Sequence, residues 1–236
     1  MINIRLSKRD NLALYKSLLI KIVAVLLALI VCAIVIVSVT DLNPLEVYGG
    51  IFKGAIGNKR RTWVTIRDML VLLLVAVGLV PAFKMRFWNI GAEGQMLMGG
   101  LASAALMIYG KNLPNGVLLP MIMVCSCVAG IIWGIIPAIF KAKFNTNETL
   151  FTLMMNYIAI QLISFCVVFW ENPAGSNSVG IINPNTNAGW FPSVFGQRYG
   201  LNLILVIVVT AFMFFYLRYT KHGYELSVVG ESWNTA

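Results

Sequence analysis

Leu26-Leu27-Ala28-Leu29-Ile30-Val31-Cys32-Ala33-Ile34-Val35-Ile36-Val37-Ser38-Val39 is the uncharged heart of an apolar run that begins at Leu18 and contains one charge, Lys21. An α-helix needs about 20 such residues to cross the hydrocarbon core of a bilayer, so this stretch reads as a membrane span. Its flanks set an orientation. Arg5, Lys8, Arg9, Lys16 and Lys21 lie before Leu26, and an excess of basic residues marks the cytoplasmic side, which places the N-terminus there. A signal peptide also runs from basic to apolar, but its apolar core is shorter and ends in a small-residue cleavage site. Thr40-Asp41-Leu42-Asn43-Pro44 supplies none, so the segment reads as an uncleaved first helix.

Outward from that run the chain keeps the same character. It is 59% hydrophobic and 11% charged, where soluble domains carry about 25% charged residues. The formal charge of +9 comes from basic residues at the edges of apolar runs. There they fix orientation and meet anionic lipid headgroups. No basic patch interleaves with aromatics in a soluble segment, which argues against nucleic acid as a partner. Cys32, Cys125, Cys127 and Cys166 all sit inside apolar stretches, as small buried hydrophobes do. Zinc is not expected, because His222 is the single histidine and Cys125 and Cys127, two apart, point to nearly opposite faces of a helix.

After the first span, residues 41–66 read as a polar connection, with Asn43-Pro44, Gly49-Gly50 and Lys59-Arg60-Arg61. A short apolar run follows, Met69 to Phe83, ending at Pro81 and Lys84-Met85-Arg86. Further runs span Met96 to Tyr109, Val117 to Phe140, Leu150 to Trp170 and Leu201 to Leu217. The fold expected is all-α, a polytopic transmembrane bundle of about six spans in one domain. Six crossings from a cytoplasmic start put Lys141-Ala142-Lys143 and the tail with Arg218 and Lys221 in the cytoplasm. They put residues 171–200, where Arg198 is the one basic residue, outside; both placements suit the positive-inside rule. No fixed-period repeat appears. Gly130-x-x-x-Gly134 has the small-residue spacing that lets two membrane helices approach closely.

The segment Asn89-Ile90-Gly91-Ala92-Glu93-Gly94-Gln95 interrupts an otherwise apolar region with a carboxylate, amides and two glycines. A charge at mid-membrane costs about 2.5 to 3.5 kcal/mol on insertion scales, and non-helical backbone survives at that depth only inside protein or along a polar cavity. One reading makes Asn89, Gly91, Glu93, Gly94 and Gln95 part of a substrate pathway. The other makes the segment a tight cytoplasmic turn between helices, with Glu93 at a helix N-terminus. Asn156 and Gln161 in the fifth span lie roughly 140° apart on a helix and serve different neighbours. Asn156 is either a pathway residue or an interhelical hydrogen-bond former. Glu148, after Asn145-Thr146-Asn147, fits a helix start.

One histidine and few acids leave no catalytic constellation, so no enzyme, metal site or cofactor is expected. The sequence has no Gly-x-x-x-x-Gly-Lys-Ser/Thr loop, and any ATP hydrolysis belongs to another polypeptide. Residues 222–236 follow the sixth span on the cytoplasmic side, either as a short helix that offers Tyr224, Leu226, Val229 and Trp233 as apolar contacts to a partner's groove or as a frayed interfacial tail.

Three motifs in this order resemble the permease subunits of ATP-binding-cassette importers of the branched-chain amino acid, ribose and nucleoside group, closest to nucleoside or simple-sugar permeases. They are Asn89 to Gln95, Asn147-Glu148-Thr149 through Met155-Asn156-Tyr157-Ile158, and Gly223-Tyr224-Glu225-Leu226 with Val229-Gly230-Glu231. The resemblance implies that the segment from Gly223 onward is the cytoplasmic element coupled to an ATPase subunit, and that Asn89 to Gln95 lies near the translocation path. It implies ATPase subunits, a second permease and an extracytoplasmic solute-binding protein as partners, in the inner or plasma membrane of a bacterial cell. Ser227 stands where the family often has Arg, and Ser232-Trp233 where it often has Asn-Pro. Relatives continue with about four more spans, so the chain is expected to be incomplete at its C-terminus. Two other readings are an ion-coupled secondary transporter, with Glu93 as its coupling group, and a truncated membrane protein that does not transport.

Overall fold

A computed structural model describes residues 14–194 and 196–231. The basic residues Arg5, Lys8 and Arg9 lie outside them, as do Ser232 to Ala236 of the tail. The helices are α1 (Leu14–Val39), α2 (Pro44–Ile56), α3 (Lys59–Lys84), α4 (Ala92–Tyr109), α5 (Asn115–Phe144), α6 (Glu148–Trp170), α7 (Gly200–Tyr219) and α8 (Lys221–Glu231). Among the described residues the sole β feature is a bridge between Val194 and Gln197. The chain is a multi-pass membrane protein: α1, α3, α5, α6 and α7 are each long and apolar enough to cross a bilayer. The sequence counts α4 as a further span. It has 18 residues, opens with Glu93 and Gln95, and packs on α5 and α6.

The described residues form two units that join in sequence at Thr65–Ile66. In the first, the structure corrects the reading of residues 41–66 as a polar connection. Asn43-Pro44, a breaker by sequence, starts α2: the Asn43 side chain accepts a hydrogen bond from the Leu45 N–H at 3.0 Å, and Pro44 occupies the first turn, where a missing N–H costs nothing. The Tyr48 hydroxyl donates to the Leu29 carbonyl of α1 at 2.6 Å. A second correction concerns α3, which starts at Lys59 rather than Met69. Asn58 caps it, accepting from the Arg61 N–H at 2.9 Å. Lys59-Arg60-Arg61 therefore form the first turn of a long helix: Lys and Arg are good helix formers, and on this exposed turn the unfavourable meeting of cations with the N-terminal dipole is small and screened.

In the second unit α4 packs mainly on α5 and α6, and α8 on α7. Residues 171–200 are the stretch expected as an external loop; the part before α7 begins at Gly200 is irregular and folds onto the C-terminal end of α4 and the start of α5. The Asn183 amide donates to the Met107 and Ala188 carbonyls at 2.7 and 3.1 Å. Asn115 pairs with the Asn187 carbonyl and the Gly189 N–H. Leu118, Ile122 and Ala188 form a small buried core beneath these contacts. At the same end the Trp170 indole N–H donates to the Tyr109 hydroxyl at 3.0 Å, joining the end of α6 to the end of α4. The opposite ends of these helices carry the α3–α4 linker and the α5–α6 turn.

Candidate functional site

The site begins where α3 stops. After Lys84 the chain turns through Arg86, whose φ of 57° is left-handed, and residues 87–90 lie outside regular structure. The Asn89 side chain accepts from the Gly91 N–H at 2.9 Å, closing a local turn. α4 then starts at Ala92, with the Gln95 N–H bonded to the Gly91 carbonyl.

A stretch without helical pairing needs other partners when it is buried. Two side chains of α6 provide them. The Asn156 amide donates to the Ile90 carbonyl at 3.0 Å, and its oxygen accepts from the Gly94 N–H at 2.8 Å. The Thr152 hydroxyl oxygen accepts from the Ile90 N–H at 3.2 Å while the hydroxyl donates to the Glu148 carbonyl at 2.7 Å. Thr152 and Asn156, four apart, share one face of α6, and their exposures of 0% and 5% show that the clamp is closed to solvent. Both polar groups of the Ile90 backbone are thus satisfied by α6. From Glu148 to Asn156 is about 12 Å along the helix at 1.5 Å per residue, so the linker is held two turns inside the start of α6.

The glycines make that approach possible. A Cβ on Gly94 would lie 2.8 Å from the Asn156 side-chain oxygen and 3.0 Å from the Trp133 indole nitrogen, and one on Gly91 would lie 3.0 Å from the Thr152 Cβ. On α5, a Cβ on Gly134 would stand 2.9 Å from the Gln95 amide nitrogen and one on Gly130 3.4 Å from the Gln95 carbonyl oxygen. The Gly130-x-x-x-Gly134 spacing is therefore a helix contact with α4. The Trp133 N–H is buried beside the clamp without a hydrogen-bond partner among the described residues.

Of the residues singled out in the sequence, Asn89, Gly91, Gly94, Gln95 and Asn156 come together here. Glu93 is exposed in the first turn of α4, where its charge complements the helix dipole. Gln161 is exposed on α6, apart from Asn156. Glu148 occupies the helix start as expected, with Asn147 as the cap, and it pairs with Lys141 of α5 at 2.9 Å. Asn145, left-handed at φ 48°, ends α5.

The other group of predicted residues lies on α8. Gly223 and Gly230 are buried. A Cβ on Gly223 would collide with the Tyr216 and Leu217 carbonyls of α7, and one on Gly230 with the Lys84 carbonyl at the end of α3. Leu226 and Val229 are half-buried, Glu225 faces Lys221 and His222, and Glu231 is exposed. Tyr224 is 71% exposed. α8 is therefore seated against the last residue of α3, and the α3–α4 linker that follows is clamped at its far end by α6. Sequence reasoning missed Thr152 and Trp133. The signal for Thr152 was its place four residues before Asn156 on an apolar helix.

Residues 64–236 match the family described as branched-chain amino acid transport system / permease component. The chain is 26% identical over 224 residues to the nucleoside ABC transporter permease protein NupB of Lactococcus lactis subsp. cremoris, covering 91% of this chain and 61% of that protein. It is 28% identical over 218 residues to the guanosine ABC transporter permease protein NupP of Bacillus subtilis, covering 90% and 61%. The glucose ABC transporter permease protein TsgB13 of Haloferax volcanii is 31% identical over 144 residues, which is 61% of this chain and 37% of that one. The chain thus spans about three fifths of the length of the two nucleoside permeases. No solved structure matches it.

Proposed function

The chain belongs to the branched-chain amino acid transport system / permease component family, and from that premise we propose that it acts as a membrane-spanning permease subunit of an ATP-binding-cassette importer carrying a nucleoside or small sugar into the cell. The observation that carries this reading is the alignment of two nucleoside permeases over about nine tenths of the chain. ATP hydrolysis then resides in separate ATPase subunits, and the working assembly includes a second permease and an extracytoplasmic solute-binding protein. The setting is a bacterial inner or plasma membrane, with the N-terminus and α8 in the cytoplasm.

In this reading α8 is the coupling element. Its two buried glycines hold it close to α7 and Lys84 while Tyr224 points away from the fold, so Tyr224 is the anchor offered to an ATPase groove, as exposed aromatics are at interfaces. Displacement of α8 reaches Lys84 first, then the linker, then α6 through the Ile90 and Gly94 clamp. Asn89, Gly91, Gly94 and Asn156 support the pathway, because their polar groups are spent on the clamp. Gln95 holds α4 to α5, and Glu93 is the group of the segment left open to a solute.

Co-expression of the tagged chain with the ATPase of the same importer, followed by purification in mild detergent, tests the reading. We expect the ATPase to be retained and Tyr224→Ala to reduce retention at least tenfold while leaving thermal stability unchanged. Nucleoside uptake in cells should vanish on ATP depletion with the proton gradient held. Uptake that instead follows the proton gradient and is lost in Glu93→Gln points to ion-coupled transport and refutes the proposal.

A further inference from the structure

We propose that the elbow between α7 and α8 is a binding site for the headgroup of an anionic phospholipid, at the edge of the face that the transport reading gives to coupling. A cleft of about 410 Å³ opens there, lined by Lys84, Phe214, Leu217, Arg218, Tyr224 and Ser227, with Gly223 at its floor. Two cations line it and no carboxylate does. Among the described residues neither Lys84 nor Arg218 has a carboxylate within 4.0 Å, whereas the nearby acid Glu225 is taken by Lys221 and His222. The Arg218 guanidinium lies 5.7 Å from the Phe214 ring centre and 5.8 Å from that of Tyr219. Ring faces hold its position without consuming its N–H donors, which remain available for a planar, two-point contact with phosphate.

The position of the cleft selects a lipid. Lys84 is the last residue of α3 and Arg218 is next to last in α7, so both stand where apolar helices end and headgroups lie. Phe214, one helical turn before Leu217 and Arg218, forms an apolar wall of the cleft with Leu217, and Phe214 is 51% exposed. Paired cations at the mouth with hydrocarbon beneath are complementary to a phosphate headgroup and its acyl chain. A carboxylate from another protein would satisfy the cations and leave the wall uncovered. Basic pockets between helices at the membrane edge take anionic lipid by this combination.

The test is native mass spectrometry of the purified chain in detergent doped with phosphatidylglycerol or with phosphatidylcholine of the same acyl chains. One phosphatidylglycerol should remain bound and no phosphatidylcholine. Lys84→Gln with Arg218→Gln should weaken retention about 30-fold, since each cation near a surface contributes roughly fivefold, while Arg218→Lys, which keeps the charge and loses the planar two-point contact, should fall between the two. Lys16→Gln with Lys143→Gln removes the same charge outside the cleft, at exposed residues, and should change little. Equal loss in that control would overturn the proposal. So would displacement of the lipid by inorganic phosphate at matched concentration, which would mark a bare anion site. A cleft variant that keeps its lipid but no longer retains the importer's ATPase would assign the cations to a protein contact instead.

Discussion

α1 and α6 are both apolar helices long enough to cross a membrane, and they are built on different rules. In α1 no residue of the spanning window is buried. In α6 a single stripe is buried, Thr152, Met155, Asn156 and Ala159, at the i, i+3, i+4, i+7 spacing of one helix face. Two of those four residues are polar, and another is the smallest that carries a side chain. In lipid there is no hydrophobic reward for bringing helices together, because acyl chains are as apolar as leucine. Contact is bought with close approach and hydrogen bonds, so the helix that packs is the one whose apolar run is interrupted.

The sharpest way to break this contrast is to fill the contact. Gly94→Ala sets a methyl group 2.8 Å from the Asn156 side-chain oxygen and 3.0 Å from the Trp133 nitrogen, and the Asn156 oxygen cannot retreat without opening the clamp. Overpacking of this kind costs about 3 kcal/mol. Unfolding of the purified chain in mixed detergent should report it as the largest loss of the substitutions considered. A change below about 1 kcal/mol would mean that α4 and α6 are not in register at Gly94.

Next in size is removal of the clamp. Asn156→Leu keeps a similar volume but leaves the Ile90 carbonyl and the Gly94 N–H without their partner. Interhelical hydrogen bonds in membranes are worth about 0.6 to 1.7 kcal/mol each, so the loss of two predicts about 2 kcal/mol. Hydrogen exchange at the Gly94 amide should rise with it. Asn156→Asp, which keeps the acceptor for Gly94 and removes the donor to Ile90, should leave Gly94 the better protected of the two variants. Smaller again is Lys141→Met, which breaks the 2.9 Å pair with Glu148. Both side chains are only partly covered, at 23% and 16% exposure, and a pair of this kind contributes about 1 kcal/mol or less. Its loss should be insensitive to Gly94→Ala if the two contacts are separate.

How much of this was legible follows from the same physics. The apolar runs were readable because span length is a one-dimensional property, and α5, α6 and α7 lie within a few residues of the runs that announce them. The start of α3 was not, since Lys59-Arg60-Arg61 are charged and a span was sought in apolar residues alone. Helix α2 was hidden behind Asn43-Pro44, which breaks a helix in its interior and starts one at its first turn. In the candidate site, the interruption at Asn89 to Gln95 was visible and its partner was not. Ile90 and Gly94 meet residues 62 and 66 positions away, and nothing in the spacing of α6 says which linker its polar pair will hold. The helix start at Glu148 was readable because its signals are local: Asn145-Thr146-Asn147 precede it directly, and the capping bond of Asn147 reaches only three residues on, to Leu150.

The smallest effect is expected on α1, and it is the one that separates the two kinds of helix most directly. Ile30 is 55% exposed, with Val31 and Ile34 similarly open, so it is in contact with solvent or lipid in the folded chain. Ile30→Ala removes three carbon atoms from a surface that faces acyl chains both before and after folding within the membrane. In water such a truncation of a buried isoleucine costs about 2 to 5 kcal/mol, because a cavity remains and apolar area is lost. Here neither term applies, and the change in unfolding free energy should fall within about 0.5 kcal/mol of zero. Met155→Ala on the buried stripe of α6 removes a comparable volume from a packed contact and serves as the reference. If Ile30→Ala proves as damaging as Met155→Ala, α1 is packed against protein rather than lipid, and its uninterrupted apolar surface has a different cause.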